Sequence, residues 1–530
     1  MKSYLSILAS LVLSTPVSIV TNTLAAEATP QNAVRRLLGD NTHLISMPSL
    51  TNYDTAIAIR EDTIAIDSNN ATFYYKRGNE RAKQGKMELA FADYNQAIQL
   101  DPEYADAYFA RGLIHALQKR VKLALADYNQ AIELNPELAD VYYYRGFIYG
   151  KQGKLELALA DYNQAIQLNS KDYESYYYYR GLVYSKQGKL ELALADYSQA
   201  IELNPKYVIA YDSRGVVYFK QGKLELALAD YNQAIELDPK YANSYYNRGL
   251  VYARQEKTGL ALANYNRAIQ LNPKDYEAYN YRGLLYAWQG QEESALTDYN
   301  RAIELNPQYA NAYYNRGNLY IRQKKLELAL ADYNRTIEIN PEYADAYFGK
   351  GTVYDRQGQV ELALASYGQA IQLNPEYIDA YYNRGLVYAQ QGQTELALAD
   401  FGRAIQLNPE DSEAYYNRGI TYIEQGKAEL ALADYNSAIQ INPNYAKAYF
   451  NRGHLYSEQG EAELALADYN RAIQIDPNHA KAYGNLGVLH MKQGNTEEAR
   501  FNLQKAQQLF EAEGKTADVR KVANLLQQLK

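Results

Sequence analysis

The 530-residue chain has no cysteine. That excludes disulfides and removes the residue that would carry a bacterial lipoprotein's lipid. It suits an oxidising compartment, and equally a chain with a large repetitive core. Histidine is scarce: His43, His115, His454, His479 and His490 show no metal-ligand spacing, and no GxxxxGK phosphate loop occurs. Carboxylates are plentiful, but they recur with the chain's own period, as at Glu395 and Glu429, and read as solvated surface. No set of residues converges on a pocket chemistry, so we expect no catalytic residue, no metal and no cofactor. Positive charge is also in deficit, with a net charge of −8. Nucleic-acid binders usually carry a basic footprint, so this balance argues against one. Beyond the N-terminus no apolar run reaches transmembrane length.

What is abundant is repetition. With Gly385 at place 8 of a 34-residue unit, the same glycine returns at Gly78, Gly112, Gly146, Gly181, Gly215, Gly249, Gly283, Gly317, Gly351, Gly419, Gly453 and Gly487. A fixed period of this length signals a solenoid, which grows in one dimension as each unit buries its face on its neighbours. Aromatic content is carried by 56 tyrosines against ten phenylalanines and Trp288. A tyrosine buries its ring while keeping a polar tip, which suits helices buried on one side and open on the other.

Each unit reads as two helices. In the tenth, AYYNRGLVYAQQ leads to a turn at Gly392, and TELALADFGRAIQL is stopped by Asn408-Pro409. Glycine past one helix end and proline beyond the next are ordinary stop signals. A mid-helix glycine costs about 1 kcal/mol relative to alanine, so something must need the missing side chain at Gly385. Folding the second helix back sets Gly385 near Ala397. Place 20 is alanine in every unit, and place 27 in all but one, where Thr336 stands.

The series Tyr381, Gly385, Tyr388, Ala397, Phe401, Ala404 and Pro409 resembles the tetratricopeptide repeat, over residues 71 to 513. The resemblance implies an all-α, right-handed superhelical solenoid of about thirteen helix-turn-helix units whose concave groove holds a protein or an extended peptide. One departure recurs: where the family commonly has leucine before the glycine, this chain has arginine, as in Arg77, Arg316 and Arg384.

Place 7 lies opposite place 23 in such a hairpin, and place 23 is aspartate in ten of thirteen units, as in Asp93, Asp332 and Asp400. Where Lys350 or Leu486 replaces the arginine, Ser366 or Asn502 replaces the aspartate; Arg248 with Asn264 breaks the rule once. The main expectation is an ion pair, Arg384 with Asp400, since a guanidinium fork matches a carboxylate. An anion-binding ladder is the alternative.

At 100° per residue, places 2, 5, 6, 9, 12 and 13 of the first helix share the face away from the hairpin core. Aromatics at place 5 and asparagines at place 6 make Tyr314, Asn315, Tyr382, Asn383, Tyr416, Asn417, Phe450, Asn451 and Asn485 the candidate groove residues. The asparagines resemble the ladder lining the superhelix of the glycosyltransferase that adds N-acetylglucosamine to serine and threonine. An amide offers donor and acceptor together, so it can pair with a peptide backbone of any sequence.

The ends read differently. Lys2, an apolar run from Tyr4 to Val20, and Thr23-Leu24-Ala25 spell a cleavable secretory leader over residues 1–25. Membrane contact is expected only if that leader stays on. Residues 26–70 hold a degenerate capping helix at Tyr53 to Ser68. One extra residue, in Lys171 to Tyr179, breaks the register. Residues 514–530 form an amphipathic capping helix, with Val519, Val522, Leu525, Leu526 and Leu529 on one face. The expected function is a periplasmic or secreted, non-enzymatic scaffold. The alternative is an assembly factor for envelope or membrane complexes acting through its ends or convex surface.

Overall fold

A computed structural model of the chain describes residues 70–169 and 173–529. The expected leader, the capping helix expected within 26–69, and residues 170–172 beside the inserted residue lie outside the described residues. Asn70 caps the first described helix, Ala71–Lys83, by accepting the Phe73 N–H at 3.2 Å. Among the described residues there are 27 helices and no strand. They are thirteen helix-turn-helix pairs in a solenoid-like array, followed by the helix Thr516–Gln528.

Local chemistry sets each boundary. The first helix of the tenth repeat, Ile378–Gln390, ends where Gly392 takes a φ of +68°. The Gly392 N–H then donates to Ala389 O at 3.0 Å and the Gln393 N–H to Tyr388 O at 2.9 Å, which closes a Schellman cap. The second helix, Thr394–Leu407, runs into Asn408 and Pro409; the Asn408 side chain accepts the Glu410 N–H at 3.2 Å and starts the turn to the next repeat.

Packing explains the repeated glycine. A Cβ on Gly385 would stand 2.9 Å from a ring carbon of Phe401 and 3.3 Å from Asp400 Cβ. It would meet these atoms before Ala397, which is itself fully buried, as is Ala404. The aromatic ring at place 24 therefore lies directly on the glycine. At Gly351 the same imagined atom would be 2.5 Å from Tyr367.

The chain divides into two compact units, Met1–Leu285 and Tyr286–Lys530. Within each, a second helix packs on the first helix of the next repeat, and successive first helices also touch, as Glu174–Lys186 does Val208–Lys220 and Ile378–Gln390 does Ser412–Glu424. First helices thus line one face and second helices the other. In the second unit Thr516–Gln528 packs on Thr496–Ala512 and buries Val522 beside Phe510.

Candidate functional site on the first helices

Behind the first-helix face runs a row of ion pairs. Arg384 donates through Nε to Asp400 Oδ2 and through Nη2 to Asp400 Oδ1, both at 2.8 Å. The same fork joins Arg111 to Asp127, Arg180 to Asp196, Arg316 to Asp332 and Arg452 to Asp468. Hydrogen bonding to Asp400 raises the Arg384 pKa above its ordinary value. Arg384 also lies over the rings of Tyr381 and Tyr388, each 5.8 Å away.

The third nitrogen has a partner that sequence reasoning missed. Nη1 of Arg111, Arg145, Arg316 and Arg452 donates to Asn95, Asn129, Asn300 and Asn436 in the preceding repeat, at 2.6–2.9 Å. One arginine thus ties its own hairpin to the repeat before it. The signal was present in the sequence as the recurrent asparagine at place 25. In those repeats the arginine's donors are committed inside the protein, which speaks against an anion-binding ladder.

The place-5 aromatics mostly pack against neighbouring rings. Tyr314 is buried with Tyr333 and Tyr343 at centroid distances of 6.0 and 5.2 Å. Tyr416 lies 5.0 Å from Tyr445, and Phe450 lies 4.8 Å from the His479 ring. Asn315 is buried, whereas Asn383, Asn417, Asn451 and Asn485 are half-buried.

These amides were expected to present both donor and acceptor to a groove. Instead, Asn417 Nδ2 donates to Tyr382 Oη at 2.9 Å and to Glu413 O at 2.9 Å, and Asn451 Nδ2 donates to Tyr416 Oη at 3.3 Å. Each partner tyrosine sits at place 5 of the preceding repeat. Before Asn485 that place holds Phe450, which has no hydroxyl, and Asn485 turns to Tyr469 Oη at 3.3 Å. Tying the Nδ2 group to a tyrosine fixes the amide's orientation and leaves the Oδ1 of Asn417 and Asn451 without a partner among the described residues. Tyr382 in turn donates to Glu413 Oε2 at 3.4 Å, and burial raises its pKa, so the hydroxyl stays protonated.

The first unit builds its face otherwise. Places 6, 9 and 13 there hold residues such as Tyr144, Phe147, Leu113 and Leu117, and between the second and third repeats they line an open apolar cavity of about 480 Å³ with Val121, Ile148 and Tyr128. Lys119 and Lys151 stand on its wall. Lys151 Nζ lies 4.6 Å over the Phe147 ring. Lys119 holds a left-handed φ of +59° where most repeats have glycine. Further along, the buried carboxylate of Asp212 accepts from Ser244 Oγ at 2.7 Å and from Asn247 Nδ2 at 3.1 Å. Burial, above all, pushes its pKa up to about 6.

Among the described residues no cluster of histidine and carboxylate side chains could hold a metal ion, and no helix is long and apolar enough to cross a membrane.

Comparison with known families agrees with this geometry. A sequence profile described as TPR repeat matches residues 78–119, 118–153, 181–222, 215–256, 287–324, 351–392, 419–460 and 453–494. Profiles described as tetratricopeptide repeat match 139–172, 242–275, 310–343, 378–411, 332–365, 401–433 and 480–512. No curated protein matches. Among solved structures, the chain is similar to YrrB, described as a TPR protein with an unusual peptide-binding site, at 30% identity over 35% of this chain and 95% of that one, with a TM-score of 0.31. It is similar to the MamA protein at 25% identity over 33% and 96%, with a TM-score of 0.31. A tetratricopeptide repeat protein from Parabacteroides merdae ATCC 43184 shares 20% identity over 49% and 98%, with a TM-score of 0.40.

Proposed function

The chain belongs to the tetratricopeptide repeat family, a non-catalytic family of scaffolds for protein and peptide partners, and from that premise we propose that it holds extended peptide segments along its first-helix face, as an exported scaffold of the cell envelope. One observation carries the binding mode. On the successive first helices Ser412–Glu424 and Ala446–Glu458, Asn417 and Asn451 are each held at Nδ2 by the tyrosine of the preceding repeat, which leaves their two Oδ1 acceptors for the N–H groups of an extended chain. Asp345, Asp379 and Glu413 occupy place 2 of three consecutive repeats on the same face, so basic side chains suit this stretch. In the first unit the apolar cavity with Lys119 and Lys151 suits a bulky apolar side chain with an acidic neighbour. Export rests on the leader alone, and a mature protein beginning near Ala26 is its mass-spectrometric signature.

The test is a library of extended peptides bound to the mature chain and to Asn383→Ala/Asn417→Ala/Asn451→Ala, with circular dichroism confirming the fold. Loss of peptide binding by the folded triple variant is expected. Wild-type binding by that variant would move recognition off these amides.

A further inference from the structure

The second helices bear an apolar row that neither the ion pairs nor the first-helix face explains. In the second unit, place 19 holds Leu328, Leu362, Leu396, Leu430 and Leu464 in five consecutive repeats, each 48–49% exposed. One turn on, place 22 is an exposed alanine in the same five repeats, from Ala331 to Ala467. Places 19 and 22 share one helix face. Ser294 separates this row from a like one in the first six repeats, Leu89, Leu123, Leu157, Leu192, Leu226 and Leu260, whose place 26 is glutamine in all but the last, and Glu498 ends it. Groove places 6 and 13 vary from repeat to repeat, whereas place 19 does not vary across these five. Together these leucines and alanines expose on the order of 500 Å² of apolar surface, as large as the biggest patches monomeric proteins carry, which are often functional.

The charges beside the row say what covers it. Place 18 is glutamate in all five repeats, and place 26 is arginine at Arg335, Arg403 and Arg471. When two such helices lie antiparallel and cross at the small residue of place 22, place 18 of one meets place 26 of the other. With a two-fold axis through the tenth repeat, Glu395 then faces Arg403 of the other copy, while the eighth repeat faces the twelfth and sets Glu327 against Arg471 and Glu463 against Arg335. A surface complementary to itself in this way is what an isologous contact requires. Only a partner with the same period meets every leucine in turn, and a second copy of the chain has that period by construction. With its flanking charges the row approaches the roughly 800 Å² per partner of a standard interface, so the pairing is reversible rather than obligate.

We propose that repeats eight to twelve form a two-fold self-association surface on the second helices, centred on Leu396 and Ala399. This surface is separate from the peptide-binding face, and its failure would leave the proposed peptide binding untouched. Sedimentation of the full mature chain over a hundredfold concentration range tests it. We expect a concentration-dependent dimer, a monomer for Leu362→Glu/Leu396→Glu/Leu430→Glu, and an unchanged dimer for the matching first-unit control Leu157→Glu/Leu192→Glu/Leu226→Glu. Glutamate is as good a helix former as leucine at these exposed places, so the fold is kept. Glu395→Arg should weaken the dimer at least fivefold, and adding Arg403→Glu should restore it. A wild-type monomer throughout, a dimer that survives the second-unit leucine changes, or no restoration by the paired charge reversal would each overturn the proposal.

Discussion

The two units have like interiors and carry different faces. Arg180 with Asp196 in the first and Arg384 with Asp400 in the second make the same forked pair at 2.7–2.8 Å, and Gly181 and Gly385 lie under the same kind of ring. On the first helices, however, the first unit offers Tyr144, Phe147 and Lys151, and the second offers Asn417, Asn451 and Glu413. Places that face the hairpin partner are fixed by packing and are repeated almost unchanged. Places that face outward are released from that demand and are where recognition can differ.

If the interiors are equivalent, damage to either should cost the same. Gly385→Leu and Gly181→Leu must each displace a buried aromatic ring, and we expect each to cost about 3 kcal/mol. Urea unfolding checks this through a lowered midpoint for both. An unchanged midpoint for one would mean that the two interiors are not alike.

The pairing is probed next. A double-mutant cycle on Arg384 and Asp400 should give a coupling of about 2 kcal/mol, since a buried fork to a carboxylate is charge-assisted. In the first unit Arg248 donates instead to the neutral Asn264, at 2.8 Å. There the coupling should fall to about 1 kcal/mol. Equal couplings would show that charge contributes little to these contacts.

Asp212 has no counterpart among the place-5 residues of the second unit, which are Tyr314, Phe348, Tyr382, Tyr416, Phe450 and Gly484. Its folded pKa of about 6 exceeds the unfolded carboxyl value of about 3.9, through burial first and then the nearby charge of Asp230, against the opposing hydrogen bonds from Ser244 and Asn247. Raised in this sense, the group contributes stability that is full below about pH 4 and is lost as pH rises through about 6. From pH 5 to pH 8 that loss is about 1.4 kcal/mol. Asp212→Asn should flatten the pH dependence of the urea midpoint by that amount; an identical slope in the variant would remove the buried carboxylate as its cause.

Much of the fold was legible because it rests on small residues at fixed intervals. Gly385, Ala397, Ala404 and Pro409 announce a hairpin whatever surrounds them, and the joint replacement of arginine and aspartate at Lys350 with Ser366 and at Leu486 with Asn502 points at one contact. What was not legible depends on residues in adjacent repeats. Asn417 commits one Nδ2 proton across repeats because Tyr382 stands 35 positions earlier with a hydroxyl, and Asn485 turns elsewhere because Phe450 has none. The ring on Gly385 belongs to Phe401, which helix-facing arguments passed over in favour of Ala397. The cavity emerges only when Leu117, Val121 and Phe147 meet in space.

The smallest expected effect separates fold from face at a single residue. Lys119 sits at the turn where Gly153, Gly188 and Gly222 serve the same purpose, and like them it has a positive φ. Its N–H bonds Ala116 O at 3.0 Å and the Arg120 N–H bonds His115 O at 2.8 Å, so the cap geometry is that of the glycine turns. A side chain in the left-handed region costs about 1 to 2 kcal/mol, which glycine relieves, although glycine's freer unfolded chain returns part of that. Lys119→Gly should therefore stabilise the protein by about 0.5 to 1 kcal/mol, read as a raised urea midpoint. The same change removes a cation from the wall of the apolar cavity. Binding of a short peptide with phenylalanine flanked by aspartates should weaken about threefold, the worth of one exposed charge pair. Stability and binding then move in opposite directions, which is the outcome expected of a residue kept for its surface rather than its fold. If the variant gains stability and binds the peptide as well as the wild type, the lysines do not read the partner's charge, and the cavity's apolar wall alone sets the first unit apart.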